Sequence, residues 1–136
     1  MSNFTEQIIE HSYEYAKDLL TDTGAIYPFG AFIGREGHVH PLEYDYDKKN
    51  MPTNEQVIEA LTKYCKEEME NGGILAYGLT YEASVQLEED GDFIETFVID
   101  IVTGDDEQPP VYYYPYTIKD NKEVVFGEPF AVKRKP

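Results

Sequence analysis

The sequence predicts an α+β domain: a two-layer structure in which an antiparallel sheet of five to six strands carries two helices on one face, in the order α-β-β-α-β-β-β-β. Three observations lead there. Residues 75–87 alternate, with Leu75, Tyr77, Leu79, Tyr81, Ala83, Val85 and Leu87 apolar and Ala76, Gly78, Thr80, Glu82, Ser84 and Gln86 small or polar between them. A period of two describes a strand with one face on a core and the other less buried. Two other stretches carry apolar residues at three- and four-residue steps, as amphipathic helices do. Four consecutive strand-like segments then follow the second helix, joined by short turns, which is the pattern of a meander.

In chain order, the first helix is marked by Phe4, Ile8, Ile9, Tyr15, Ala16, Leu19 and Leu20, with Ser2 or Asn3 to cap its start and residues 21–24 to stop it. Residues 25–33 read as a strand, turned through the glycines of 34–37 into a second strand at 38–43. Pro28 and Pro41 each remove a ladder donor, so these strands belong at an edge, at a bulge, or with their proline nitrogens facing away from a neighbour. Residues 44–52 are a polar connection. Thr53 with Gln56 three residues on forms a capping box, and Val57, Ile58, Leu61, Tyr64, Cys65 and Met69 are the stripe of the second helix, ended by Asn71, Gly72 and Gly73. Asp90 and Gly91 turn the long strand into 93–103. There Phe97, Ile99 and Ile101 share one face and Ile94, Val98 and Val102 the other, which is the mark of a central strand covered on both sides. Strands at 111–118 and 123–132 complete the order, and 133–136 is an exposed basic tail. Nothing divides residues 1–136 into more than one domain: there is no internal repeat and no low-complexity segment.

By order of elements the chain resembles the profilin-like and roadblock-like domains. No sequence motif of either family is present, and the resemblance implies an outline of fold without a function.

Composition narrows the function classes. One cysteine permits no internal disulfide and no cysteine cluster for zinc, a pattern suited to a reducing cytoplasm. The N-terminal residues lack the regions of a signal peptide and no run is long enough to span a membrane, so the expected location is cytoplasmic. Eleven basic residues against 27 acidic ones give a net charge of −16, which argues against nucleic acid or anionic lipid as partners and points to a basic protein.

Catalytic motifs are missing: there is no phosphate-binding glycine loop, nucleophile elbow, zinc-protease helix or dinucleotide fingerprint. No cofactor, metal or catalytic residue is expected. His38 and His40 point the same way on a strand and with a carboxylate would begin a metal site, but a tetrahedral site needs more ligands, and two solvent-facing imidazoles are the simpler reading. Cys65 falls inside an apolar helical stripe, where a thiol acts as a small hydrophobe.

Two features carry more weight. Twelve tyrosines and seven phenylalanines crowd the chain, and alternation sends Tyr112, Tyr114 and Tyr116 to one face of a strand, either as cross-strand packing or as the wall of a ligand site. Between Lys66 and Lys119 there is no basic residue, while the turns at 88–92 and 104–108 carry Glu88, Glu89, Asp90, Asp92, Asp105, Asp106 and Glu107. Those acids are expected to gather at one end of the meander as a partner-facing surface. The leading expectation is therefore a non-catalytic interaction or inhibitor module, immunity-like in character, for a basic protein. A small-ligand module on the tyrosine strand 111–118 comes next. A metal-dependent enzyme built on His38 and His40 comes third.

Overall fold

The computed structural model describes residues 4–44, 49, 51–86, 88–104 and 108–133. Helix α1 (Phe4–Thr23) is followed by strands β1 (Phe29–Gly34) and β2 (Val39–Leu42), helix α2 (Asn54–Glu70), and strands β3 (Ile74–Gln86), β4 (Phe93–Thr103), β5 (Val111–Ile118), β6 (Val124–Phe126) and β7 (Phe130–Val132). The sheet is antiparallel with order β2-β1-β3-β4-β5-β6, and β7 also pairs with β5. The α+β class and the order of elements are those the sequence predicts.

Local chemistry accounts for the helix ends. Thr53 Oγ1 accepts the Gln56 amide at 3.1 Å while Gln56 Oε1 accepts the Thr53 amide at 2.9 Å, the reciprocal capping box. At the other end of α2 the Gly73 amide reaches back to the Glu68 carbonyl at 2.8 Å, and Gly72 takes φ +79°, a left-handed backbone that suits glycine. Helix α1 stops one residue before Gly24, also left-handed at φ +76°. The Ser2 or Asn3 cap expected for α1 lies outside the described residues, as do residues 134–136 of the tail.

The two helices do not share a face, which corrects the expected placement. Ile8, Ala16 and Leu20 of α1 pack with Ala76, Phe97, Ile99, Ile101 and Tyr114, whereas Val57, Leu61 and Cys65 of α2 pack with Ile74, Tyr77 and Leu79. On β3 Ala76 is of one parity and Tyr77 and Leu79 of the other, with Ile74 brought to the Tyr77 side by a bulge at Leu75, so the helices lie on opposite sides of the sheet. The physical reason is in the row read as the less buried one. Ala76, Gly78 and Thr80 are fully covered, and their small size lets α1 approach the strand closely. Behind β1 and β3 the reverse face is backed by α2; over β4 and β5 the arrangement is one helix layer on one sheet layer.

Three boundaries differ for reasons of backbone geometry. Leu75, placed in the buried row, is 38% exposed. Ile33 pairs with Ala76 but Gly34 with Ile74, so Leu75 is the extra residue of a bulge and Ile74 takes the core position instead. The first strand begins at Phe29 because Pro28, with no N–H, cannot join the ladder. The last strand is broken: Val124–Phe126 and Phe130–Val132 pair with the two halves of β5 in registers that differ by one residue, and the Gly127 amide donates to the Pro115 carbonyl at 2.9 Å in the gap.

Candidate functional site

The register of the sheet brings together a cleft on the α1 side, just past the end of α1. Glu82 on β3 pairs with Phe97 on β4, which pairs with Tyr114 on β5. Moving outward, Ser84 pairs with Glu95, whose next neighbour across the sheet in the same register is Tyr116, and Gln86 pairs with Phe93. Side chains two apart on a strand share a face. Glu82, Ser84, Phe93, Glu95, Tyr116 and Ile118 therefore all face the α1 side, at the end of the sheet that α1 leaves uncovered. With Gly24 and Ala25 forming one wall, the cleft has a volume of about 590 Å³.

Its floor is held in place by the neighbouring core. The Tyr116 ring packs against Phe97 with centroids 6.4 Å apart, and Phe97 stacks on Tyr114 at 5.0 Å and 8°. Among the described residues each carboxylate is oriented by one donor: Glu82 Oε1 accepts the Ile26 amide, and Glu95 Oε1 accepts the Ser84 hydroxyl at 2.7 Å. No lysine or arginine among the described residues lines the cleft. Burial, and then the charges of Glu82 and Glu95, push the Tyr116 hydroxyl up to about 12, so it stays protonated beside two anions. At the rim Phe93 is 65% exposed and Ile118 39% exposed. The cleft therefore combines two carboxylates with exposed apolar side chains, which suits a cation with an apolar stem.

The acidic turn 88–92 stands beside it, because the Gln86 and Phe93 pair is the last rung before that turn. Glu88, Glu89, Asp90 and Asp92 are all exposed. The Gly91 amide closes the turn on the Glu88 carbonyl at 2.9 Å, and Gln86 Nε2 donates to the Gly91 carbonyl at 2.6 Å. The expected gathering of both acidic turns at one end is not what the sheet does. β4 separates them by 11 residues, roughly 35 Å of extended chain, and consecutive hairpins turn at opposite ends. Asp105, Asp106 and Glu107 lie outside the described residues; Gly104, which precedes them, ends at the far side from Asp92.

The other candidates are dispersed. Tyr112, Tyr114 and Tyr116 do share a face, but it is the face under α1: Tyr114 is buried against Tyr13, with ring centroids 5.3 Å apart, and Tyr112 packs on the same cluster. Only Tyr116 of the three lines the cleft. On the reverse face Tyr113 stacks on Phe130 at 5.1 Å and 3°. His38 and His40 are on or beside edge strand β2; His40 pairs with Glu36 and stacks on Phe32. No group of three or more His, Cys, Asp or Glu that could hold a metal ion occurs among the described residues. Cys65 is buried in the α2 cluster, and burial pushes its thiol up to about 12.

Sequence reasoning missed Glu82, Glu95, Phe93 and Ile118 as a group. The signal that could have found Glu82 and Glu95 is their position on the same parity as core residues, Ala76 with Glu82 and Phe97 with Glu95. A charge at the end of a core-facing row marks where the covering layer stops.

No helix among the described residues is long and apolar enough to cross a membrane. No protein-family model matches the chain, and neither do the curated proteins or the solved structures.

Proposed function

We propose that this chain is a cytoplasmic, non-catalytic interaction module of the inhibitor or immunity type, which docks a basic protein against the Phe93 end of its sheet. The observation that supports this best is the cleft itself: two carboxylates with no cation among the described lining residues, an exposed Phe93 at the rim and the acidic turn 88–92 alongside. Apolar area beside unpaired negative charge is what a basic surface with a few apolar residues complements, and the field of the turn would accelerate its approach. The net charge of −16 favours such a partner and disfavours nucleic acid.

The test uses the basic protein products of genes neighbouring this one, since an inhibitor is commonly encoded beside its target. Association measured by stopped flow should slow between low and moderate salt, and should slow again at low salt when Glu88, Glu89 and Asp90 are reversed to Lys. A rate indifferent to both overturns the reading.

A small-ligand module on the strand 111–118 is a second reading, favoured by the one observation that Tyr116 reaches the cleft. It expects a small cation to raise the thermal midpoint in proportion to the logarithm of its concentration.

A further inference from the structure

Resting on the reading of a basic protein partner, we infer that the cleft receives one arginine side chain of that partner, its guanidinium between Glu82 and Glu95 and its plane against the Tyr116 and Phe93 rings. Ser84 stands opposite Glu95, so Glu82 and Glu95 are diagonal neighbours on adjacent strands, about 7–8 Å apart at Cα. That spacing leaves room for one planar cation between them. Each carboxylate has one oxygen committed, Glu82 Oε1 to the Ile26 amide and Glu95 Oε1 to the Ser84 hydroxyl, and among the described residues the second oxygen of each has no donor.

A guanidinium presents donors along two edges and two open faces, so one group satisfies both carboxylates while stacking on a ring. An ammonium offers no face to stack. The Tyr116 hydroxyl, kept protonated beside the two anions, leaves a neutral ring as the floor. Phe93 and Ile118 at the lip match the methylene stem that an arginine trails behind its head. Among the described residues the cleft lining supplies no cation: the nearest basic residue along β5 is Lys119, just past the strand, and it pairs with Glu123 at 3.8 Å.

The probe is N-acetyl-arginine N-methylamide, titrated into the isotopically labelled protein and followed by amide chemical shifts, with the lysine and citrulline analogues in parallel. The arginine analogue should move the amides of Glu82, Phe93, Glu95 and Thr117 saturably, the lysine analogue more weakly and the uncharged citrulline analogue not at all. Glu95→Gln should weaken the effect by about tenfold or more, as the loss of a charged hydrogen-bond partner does. Glu82→Gln keeps a carbonyl for the Ile26 amide and so keeps the fold, and Phe93→Ala, at an exposed position, provides a second variant; both should weaken binding. Shifts confined to 88–92 would overturn the cleft as an arginine site while leaving the acidic turn as the docking surface. Equal response to lysine, or no shift at all, also overturns the inference and leaves the proposed function to its own salt test.

Discussion

Ile8 of α1 lies so close to Gly78 of β3 that a Cβ added at Gly78 would sit 2.6 Å from Ile8 Cγ2 and 3.3 Å from Ile101 Cγ1. Elsewhere in a strand, replacing glycine by alanine restrains the unfolded chain and stabilises by about 0.4–1 kcal/mol. Here the methyl has nowhere to go, because Ile8 is fully buried and branched at Cβ, with little rotamer freedom. Gly78→Ala should destabilise by about 1–3 kcal/mol, the usual cost of overpacking. Combining it with Ile8→Ala should recover part of that loss; chemical denaturation of the two single variants and the double variant measures the coupling. Additive losses would show that α1 does not rest on this glycine.

Leu79 and Glu82 lie on opposite faces of β3 and should respond differently to substitution. Leu79→Ala removes a buried side chain from the α2 cluster and should cost about 2–5 kcal/mol. Glu82→Ala orphans the amide of the buried Ile26 and should cost about 1–3 kcal/mol, while Glu82→Gln, which keeps an acceptor, should cost less. Equal losses for Ala and Gln at position 82 would show that the carboxylate does not anchor that amide.

Tyrosine ionisation gives a pH dependence whose sign is fixed. Tyr15, whose hydroxyl donates to the Glu43 carboxylate, and Tyr116, raised by burial and by Glu82 and Glu95, are each held up to about 12 against an ordinary value of 10. Above pH 10 the unfolded chain has released these protons while the native state retains them. Stability should therefore be undiminished by these groups below about pH 10 and fall between pH 10 and 12. Ultraviolet titration of tyrosinate should show a late step, smaller by one group in Tyr116→Phe and moved to lower pH in Glu95→Gln. A single step near pH 10 for all tyrosines would contradict the geometry of the cleft.

Cys65 should behave as a core residue. With its thiol held up to about 12 and no exposed surface, native protein should react with a thiol reagent only as fast as it opens, and far faster in denaturant. Cys65→Ser should lower the denaturation midpoint and leave any partner affinity unchanged, since the α2 cluster lies across the sheet from the cleft.

Charge repulsion within the turn 88–92 should make stability depend on salt. Its four exposed carboxylates fall within five consecutive residues, and salt screens repulsion between such charges over a Debye length of about 8 Å at physiological ionic strength. Raising ionic strength from low to physiological should raise the thermal midpoint of the free protein. The increase should shrink when Glu88 and Asp90 are changed to Gln and Asn; an unchanged increase would place the repulsion elsewhere.

Features that depend on neighbours a few residues away are legible in the chain alone. The bounds of β4 and β5, the Thr53 and Gln56 box, the stop at Gly72 and Gly73 and the burial of Cys65 all follow from periodicity and capping. Tertiary structure decided the rest. Alternation on β3 announces two faces but does not say which helix takes which. A row of Ala76, Gly78 and Thr80 reads like a weak solvent face until α1 is seen lying on it. The bulge at Leu75 and the break around Gly127 arise where one strand must match the register of another far off in sequence. The cleft is the strongest case. Glu82, Glu95 and Tyr116 meet only because two hairpins set three strands in one register, and they stay uncovered only because α1 ends at Thr23, a coincidence of lengths that no local pattern encodes.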